Sequence, residues 1–138
     1  MLSFKSRWKT AVVVSSGGLD SCVIATIASQ TYQLAMLHAQ YGQLTAHREL
    51  RAFHDIADAL DASKRLVISM THFKAIGGSS LTDPELKVPL SGIEENVVPT
   101  TYVPFRNANL FSAAVSWAEV IGAEKVFVGI NQMDSSGY

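Results

Sequence analysis

The run Ser15-Ser16-Gly17-Gly18-Leu19-Asp20-Ser21 holds the residue types of an anion-binding turn. Gly17 and Gly18 carry no Cβ, so the backbone can bend sharply there and come close to a ligand. Ser16 and Ser21 offer hydroxyls, and Asp20 offers a carboxylate. An apolar run, Ala11 to Val14, comes before the turn, and a helical run opens at Ser21 behind it. The first N–H groups of a helix lack intrahelical partners and sit at the positive end of its dipole. The chemistry implied is the cradling of a phosphate. It is neither of the two common cradles: no Lys follows a glycine pair, and G-x-G-x-x-G is absent. Ser-Gly-Gly turns also occur without a ligand, and Asp20 also suits a plain helix cap.

A second group stands late in the chain. Pro104 disfavours helix at Val103, which puts Arg106 and Asn107 near the start of the helix that follows. A cation gains nothing from the helix dipole at that end. Its planar fork suits a phosphate or a carboxylate, the alternative being an ordinary surface arginine. Tyr41-Gly42-Gln43 follows one strand pattern, and Asp134, Ser136, Gly137 and Tyr138 follow another. The single cysteine, Cys22, excludes an internal disulfide framework and a multi-cysteine zinc site. A thiolate would be stabilised at that helix start, but a small residue packing as a hydrophobe is the simpler role. His47 and His54 fall on a helix and are left unassigned.

The elements that must position these groups alternate. Strands are expected at Ala11–Val14, Leu34–Leu37, Leu66–Ile68 and Val126–Val128. Helices are expected from Ser21 to about Gln30, with Val23, Ile24, Ile27 and Ala28 inward, and from about Leu44 to Leu60, with Leu50, Phe53, Ala57 and Leu60 inward. A third begins after Pro104, buries Leu110, Ala113, Ala114, Trp117 and Ile121, and ends at Gly122. His38 to Gln43 reads as a loop at a strand's carboxyl end, the edge where open α/β sheets bind ligands. Between Thr71 and Thr101 the pattern dissolves into Gly, Ser and Pro, either a flap over the site or a surface excursion. The fold class is therefore α/β, a Rossmann-like parallel sheet with flanking helices and the first strand central. The polar clusters then meet on one rim.

Composition sets the frame. A chain of 138 residues, 48% hydrophobic, suits a single nucleotide-binding domain over 1–138. A formal net charge of −1 gives no broad attraction to nucleic acid. No apolar run is long enough to span a membrane. Lys5, Arg7 and Lys9 precede an apolar stretch too short for a signal peptide, so a cytoplasmic protein is expected.

The turn resembles the S-G-G-x-D-S loop of the ATP pyrophosphatases, the PP-loop superfamily, in which the loop grips ATP while a nucleophile attacks the α phosphate. The later blocks narrow the resemblance. Tyr41-Gly42-Gln43, Ser80-Leu81-Thr82, Val103-Pro104 with Arg106-Asn107, and Asp134-x-Ser136-Gly137-Tyr138 are similar to blocks of the QueC family of 7-cyano-7-deazaguanine synthases. The resemblance implies an ATP-dependent ligase of queuosine biosynthesis. It would turn 7-carboxy-7-deazaguanine and ammonia into the nitrile preQ0 through an adenylated carboxylate and an amide. It also implies that Ser15, Ser16, Gly17, Gly18, Leu19, Asp20, Ser21 and Cys22 hold ATP with Mg2+. Arg106 and Asp20 would serve catalysis, while Tyr41, Gln43, Asn107, Asp134, Ser136, Gly137 and Tyr138 would hold the substrate. Two departures stand out: Gln40 where the family often has Asp, and Phe105 where a small residue, commonly Gly, is usual. The family continues past Ser-Gly-Tyr into a region whose cysteines bind Zn2+, and those ligands are absent here, so no metal ligand is assigned. The chain is expected to be an amino-terminal piece that binds ATP weakly and makes no preQ0. A bare apolar flank would favour self-association, as in a homodimer. Alternatives are another PP-loop enzyme, such as one resembling GMP synthetase, or a non-catalytic ATP-binding module.

Overall fold

The computed structural model describes residues 7–78 and 105–129. Val12, Val13 and Val14 are β-branched and buried, and they form the strand β1 (Thr10–Val14). Three further strands join it: β2 (Gln33–Gln40), β3 (Lys64–Ser69) and β4 (Lys125–Val128). All pairs are parallel, in the order β3-β2-β1-β4. Val12 lies opposite Ala35 on one side and Val126 on the other, so β1 is central between the second and fourth strands, as expected.

The helices are α1 (Leu19–Ser29), α2 (Ala46–Ala59), α3 (His72–Ile76) and α4 (Arg106–Ile121). Alternate strand residues face opposite layers. Val13 and Met36 pack with Ala25 and Ala28 of α1 and with Phe53 and Ala57 of α2. Val12, Val14, Ala35 and Leu37 pack with Ala114 and Ala118 of α4. The sheet is thus covered on both faces, as a parallel sheet requires.

The structure corrects three boundaries. The second strand runs on through His38, Ala39 and Gln40, which pair with Val67, Ile68 and Ser69, so the loop begins only at Tyr41. The short helix α3 occupies the start of the stretch that looked patternless; residues 79–104, the rest of the supposed flap with Ser80-Leu81-Thr82 and Val103-Pro104, lie outside the described residues. In α1 the inward face is Ser21, Ile24, Ala25 and Ala28, while Val23 and Ile27 are 47% and 55% exposed. Small alanines let that helix lie close to the sheet, and a nearly all-apolar run offers no period by which to choose a face.

Phe105 has a left-handed backbone, φ 57 and ψ 23, immediately before α4. A side chain in that region costs about 1–2 kcal/mol, which glycine avoids. The residue is 67% exposed, so its burial offsets only part of the strain. Phe105→Gly is expected to raise stability by about 0.5–1 kcal/mol once the larger unfolded-state entropy of glycine is subtracted. A urea melt checks this, and an unchanged or lower midpoint would show that the ring's contacts outweigh the strain.

Candidate functional site

The turn between β1 and α1 is built from its own hydroxyls. Ser15 is buried, and its N–H donates to the carbonyl of Leu37 at 2.8 Å, which continues the sheet into the loop. The Gly17 N–H reaches Ser15 Oγ at 3.4 Å, and the Gly18 N–H reaches Ser16 Oγ at 3.3 Å. Ser21 Oγ donates to the Gly18 carbonyl at 2.9 Å, tying the first turn of α1 back to the loop. Gly18 caps α1 without a side-chain hydrogen bond.

The two glycines do different things. Gly17 has φ +83, and a Cβ there would lie 2.6 Å from the Glu49 carbonyl oxygen and 3.0 Å from Ala52 Cβ. The loop is therefore pressed onto α2. Gly18 has an ordinary extended backbone, φ −83 and ψ 174, and its Cβ would meet only Ser16 Oγ, at 3.3 Å. The sharp bend belongs to Gly17 alone.

His38 holds the loop from below. It is buried at the end of β2, stacks on Phe53 at 5.2 Å, and its Nδ1 lies 2.8 Å from the Ser15 carbonyl oxygen. A carbonyl only accepts, so Nδ1 carries a proton and donates it to Ser15. No described residue bonds the ring's Nε2. The spacing of His38 gave no hint of this, because it looked like part of a loop.

At the carboxyl end of β2, Tyr41 is buried and packs edge-on against Phe73 of α3 at 5.9 Å. Gly42, with φ +81, turns the chain above Lys74. Gln43 is also buried, and its amide is fully engaged. Its Oε1 accepts the Tyr41 N–H at 2.8 Å, and its Nε2 donates to the Ala39 carbonyl at 3.3 Å and to Glu49 Oε2 at 2.7 Å. Gln43 thus holds the loop and Glu49 in place, and it does not line the cavity described next.

A cavity of about 330 Å3 opens at the carboxyl ends of the strands. The loop contributes Ser15, Ser16, Gly18, Leu19, Asp20 and Ser21; β2 and its loop contribute Ala39 and Tyr41; α2 contributes Glu49; α4 contributes Arg106, Asn107 and Leu110. Val128 and Gly129 close it. Gly17 lies behind this wall, against α2, and Cys22 is a half-buried residue one step further into α1. Asp134, Ser136, Gly137 and Tyr138 lie outside the described residues. His47 is exposed, while His54 contacts Arg65 at 3.2 Å; neither lines the cavity.

The charges here are arranged around Tyr41. Burial pushes its phenol above the ordinary value, Glu49 adds to that, and the hydrogen-bonded Arg106 guanidinium works against it. The group therefore stays a neutral hydroxyl at neutral pH. Arg106 also reaches Asn107 Oδ1 through Nε at 3.4 Å. Glu49 and Arg106 share the cavity without forming an ion pair. Among the described residues no group of three or more His, Cys, Asp or Glu could hold a metal ion, and no helix is long and apolar enough to cross a membrane.

A parallel sheet covered by helices, with an S-G-G-L-D-S turn after its central strand, is the Rossmann-like α/β arrangement of the PP-loop family. The sequence model of the family described as "Queuosine biosynthesis protein QueC" matches residues 10–138. The chain belongs to the QueC family. It is 53% identical over 129 residues to a 7-cyano-7-deazaguanine synthase of Chloroherpeton thalassium, covering 93% of this chain and 57% of that protein. It is 51% identical over 132 residues to one of Koribacter versatilis, covering 93% of this chain and 56% of that protein. The chain thus spans a little over half the length of the curated relatives it matches. Among solved structures, a universal stress protein in complex with cAMP aligns over 89% of this chain and 97% of that one at 18% identity, with a TM-score of 0.38, too distant to carry an argument.

Proposed function

We propose that this chain forms the ATP-binding part of a ligase that makes preQ0 from 7-carboxy-7-deazaguanine and ammonia. The observation that carries the reading is a single cavity holding both the phosphate turn and the Arg106–Asn107 pair. The bond from the Gly18 N–H to the Ser16 hydroxyl is long, so an anionic phosphate oxygen in the cavity is the better acceptor for that N–H. Asp20, exposed on the rim, is placed to meet the Mg2+ that accompanies the triphosphate. ATP supplies the leaving groups of the reaction. A carboxylate is a poor electrophile, and its oxygen bonds to the α phosphorus as pyrophosphate departs. Ammonia then bonds to the acyl carbon as AMP departs with the carboxyl oxygen, leaving the amide on the way to the nitrile. This chain's part is to clamp the phosphates and hold the carboxylate on Arg106, which stabilises charge as it moves toward pyrophosphate.

Two measurements test the reading. Calorimetry on this chain should show ATP binding that needs Mg2+. The chain continued to the length of its relatives should release pyrophosphate when 7-carboxy-7-deazaguanine is added, and the nitrile should appear by mass spectrometry. Release driven instead by xanthosine monophosphate would place the protein beside GMP synthetase. ATP binding with no acid-dependent release would leave a nucleotide-binding module.

A further inference from the structure

Glu49 has no part in gripping phosphate, and a carboxylate beside a polyanion is unfavourable unless something else meets it. Its carboxylate is nevertheless fixed in advance. Oε2 accepts Gln43 Nε2 at 2.7 Å, and Oε1 accepts Thr45 Oγ1 at 2.7 Å. One oxygen is held by a buried amide that has no other freedom, and the other by a hydroxyl of the same loop. Each carboxylate oxygen keeps a further lone pair. No described cation pairs with Glu49, although Arg106 lines the same cavity. Its backbone is equally fixed, because the Glu49 carbonyl is the atom against which Gly17 packs. The side chain therefore presents two acceptors, in a set plane, at a set distance from the phosphate turn.

We infer that Glu49 is a specificity-determining residue that accepts the paired N–H donors of a 2-amino-4-oxo pyrimidine ring, with Gln43 and Thr45 as its positioning residues. This rests on the proposed function above. The ring N–H between the amino and oxo carbons and the 2-amino group form a flat pair of donors, matching a carboxylate whose plane is fixed. The substrate's own carboxylate, on the far side of the fused ring, is then left to Arg106. The two charged side chains remain unpaired with each other because each has an end of the ligand to meet. A compact cation would not require a held plane, and among the described residues no group of three or more His, Cys, Asp or Glu could hold a metal ion.

The test, on the chain continued to its relatives' length, compares binding of 7-carboxy-7-deazaguanine with that of its analogue lacking the 2-amino group, by calorimetry with ATP and Mg2+ present. The unmodified chain should prefer the 2-amino compound by about ten- to a hundredfold, the value of one hydrogen bond to a charged acceptor. Glu49→Gln places an N–H donor against a donor edge, and the preference should fall to about threefold or less. ATP affinity measured on the same sample should stay within a factor of about three, which shows that the variant folds. Gln43→Leu, which frees the Glu49 carboxylate, should weaken the preference partially. If Glu49→Gln keeps the full preference, the inference is wrong. It is also wrong if the variant loses Mg2+-dependent ATP affinity while the preference stays, since Glu49 then meets a cation. If the chain continued to its relatives' length binds ATP but neither acid, the proposed function itself falls, a result distinct from a lost preference.

Discussion

Gly17→Ala is expected to unfold the phosphate turn and remove measurable ATP binding. The residue sits at φ +83, where a side chain costs about 1 kcal/mol or more. The added methyl would also stand 2.6 Å from the Glu49 carbonyl oxygen and 3.3 Å from the Phe53 backbone nitrogen. Both belong to the backbone of α2, which is locked by its own ladder and by the burial of Phe53 and Ala57. The loop has to lift instead, breaking the fit of Ser15 to Leu37 and to His38. Strain and overlap together should destabilise the chain by about 2–4 kcal/mol. Lifting the turn by even part of an ångström should weaken ATP binding by about a hundredfold or more. Gly18→Ala is the control. Its backbone is extended and its methyl would meet only the end of Ser16, so stability should change by about 1 kcal/mol or less. Any loss of ATP affinity there reports the phosphate path itself. Urea melts and calorimetry on both variants decide the matter, and wild-type stability with wild-type affinity in Gly17→Ala would show that the loop does not rest on α2 as described.

That contrast marks the limit of what the sequence discloses. The strands were legible because Val12, Val13 and Val14 are β-branched and buried on both sides, and the parallel order followed from their alternation with helices. The turn was legible as a motif, but Gly17 and Gly18 are the same letter. Only the approach of α2, distant in sequence, separates them. Glu49 was not singled out in the sequence, because its hydrogen bonds to Gln43 and Thr45 form only once the loop has folded over α2. Tyr41 lines the cavity at the end of its strand, whereas Gln43, named with it, turns inward and supports its neighbours. His38 was hidden for a related reason: a polar residue continuing a strand looks like the start of a loop until its partner carbonyl is known. The departure at Phe105 shows the converse. The resemblance to the family marked the position as unusual, and the left-handed backbone supplies the physical reason a glycine suits it.

Arg106→Lys is expected to cut acid-dependent pyrophosphate release by about a hundredfold or more, the usual loss when one positioned donor to developing charge is removed. The stability change should stay under about 1 kcal/mol, because the residue is only half-buried and forms no ion pair among the described residues. The native placement is itself unfavourable to folding, since a cation in the first turn of α4 opposes the helix dipole. A lysine would relieve none of that and would lose the planar fork. The fork has several neighbours in this site: Nε faces Asn107 Oδ1, the guanidinium charge acts on the Tyr41 hydroxyl, and under the proposed function N–H groups remain for a carboxylate or phosphate. An ammonium has three donors on a flexible stem and cannot meet these partners in one plane. The burden should fall on turnover more than on ATP affinity, because the phosphates keep the Gly17–Ser21 turn. The measurement is pyrophosphate release by the chain continued to its relatives' length, with and without 7-carboxy-7-deazaguanine, beside a urea melt of the same variant. Equal turnover in the two proteins would assign Arg106 to the surface. Loss of stability matching the loss of turnover would make it a structural support for Tyr41 instead.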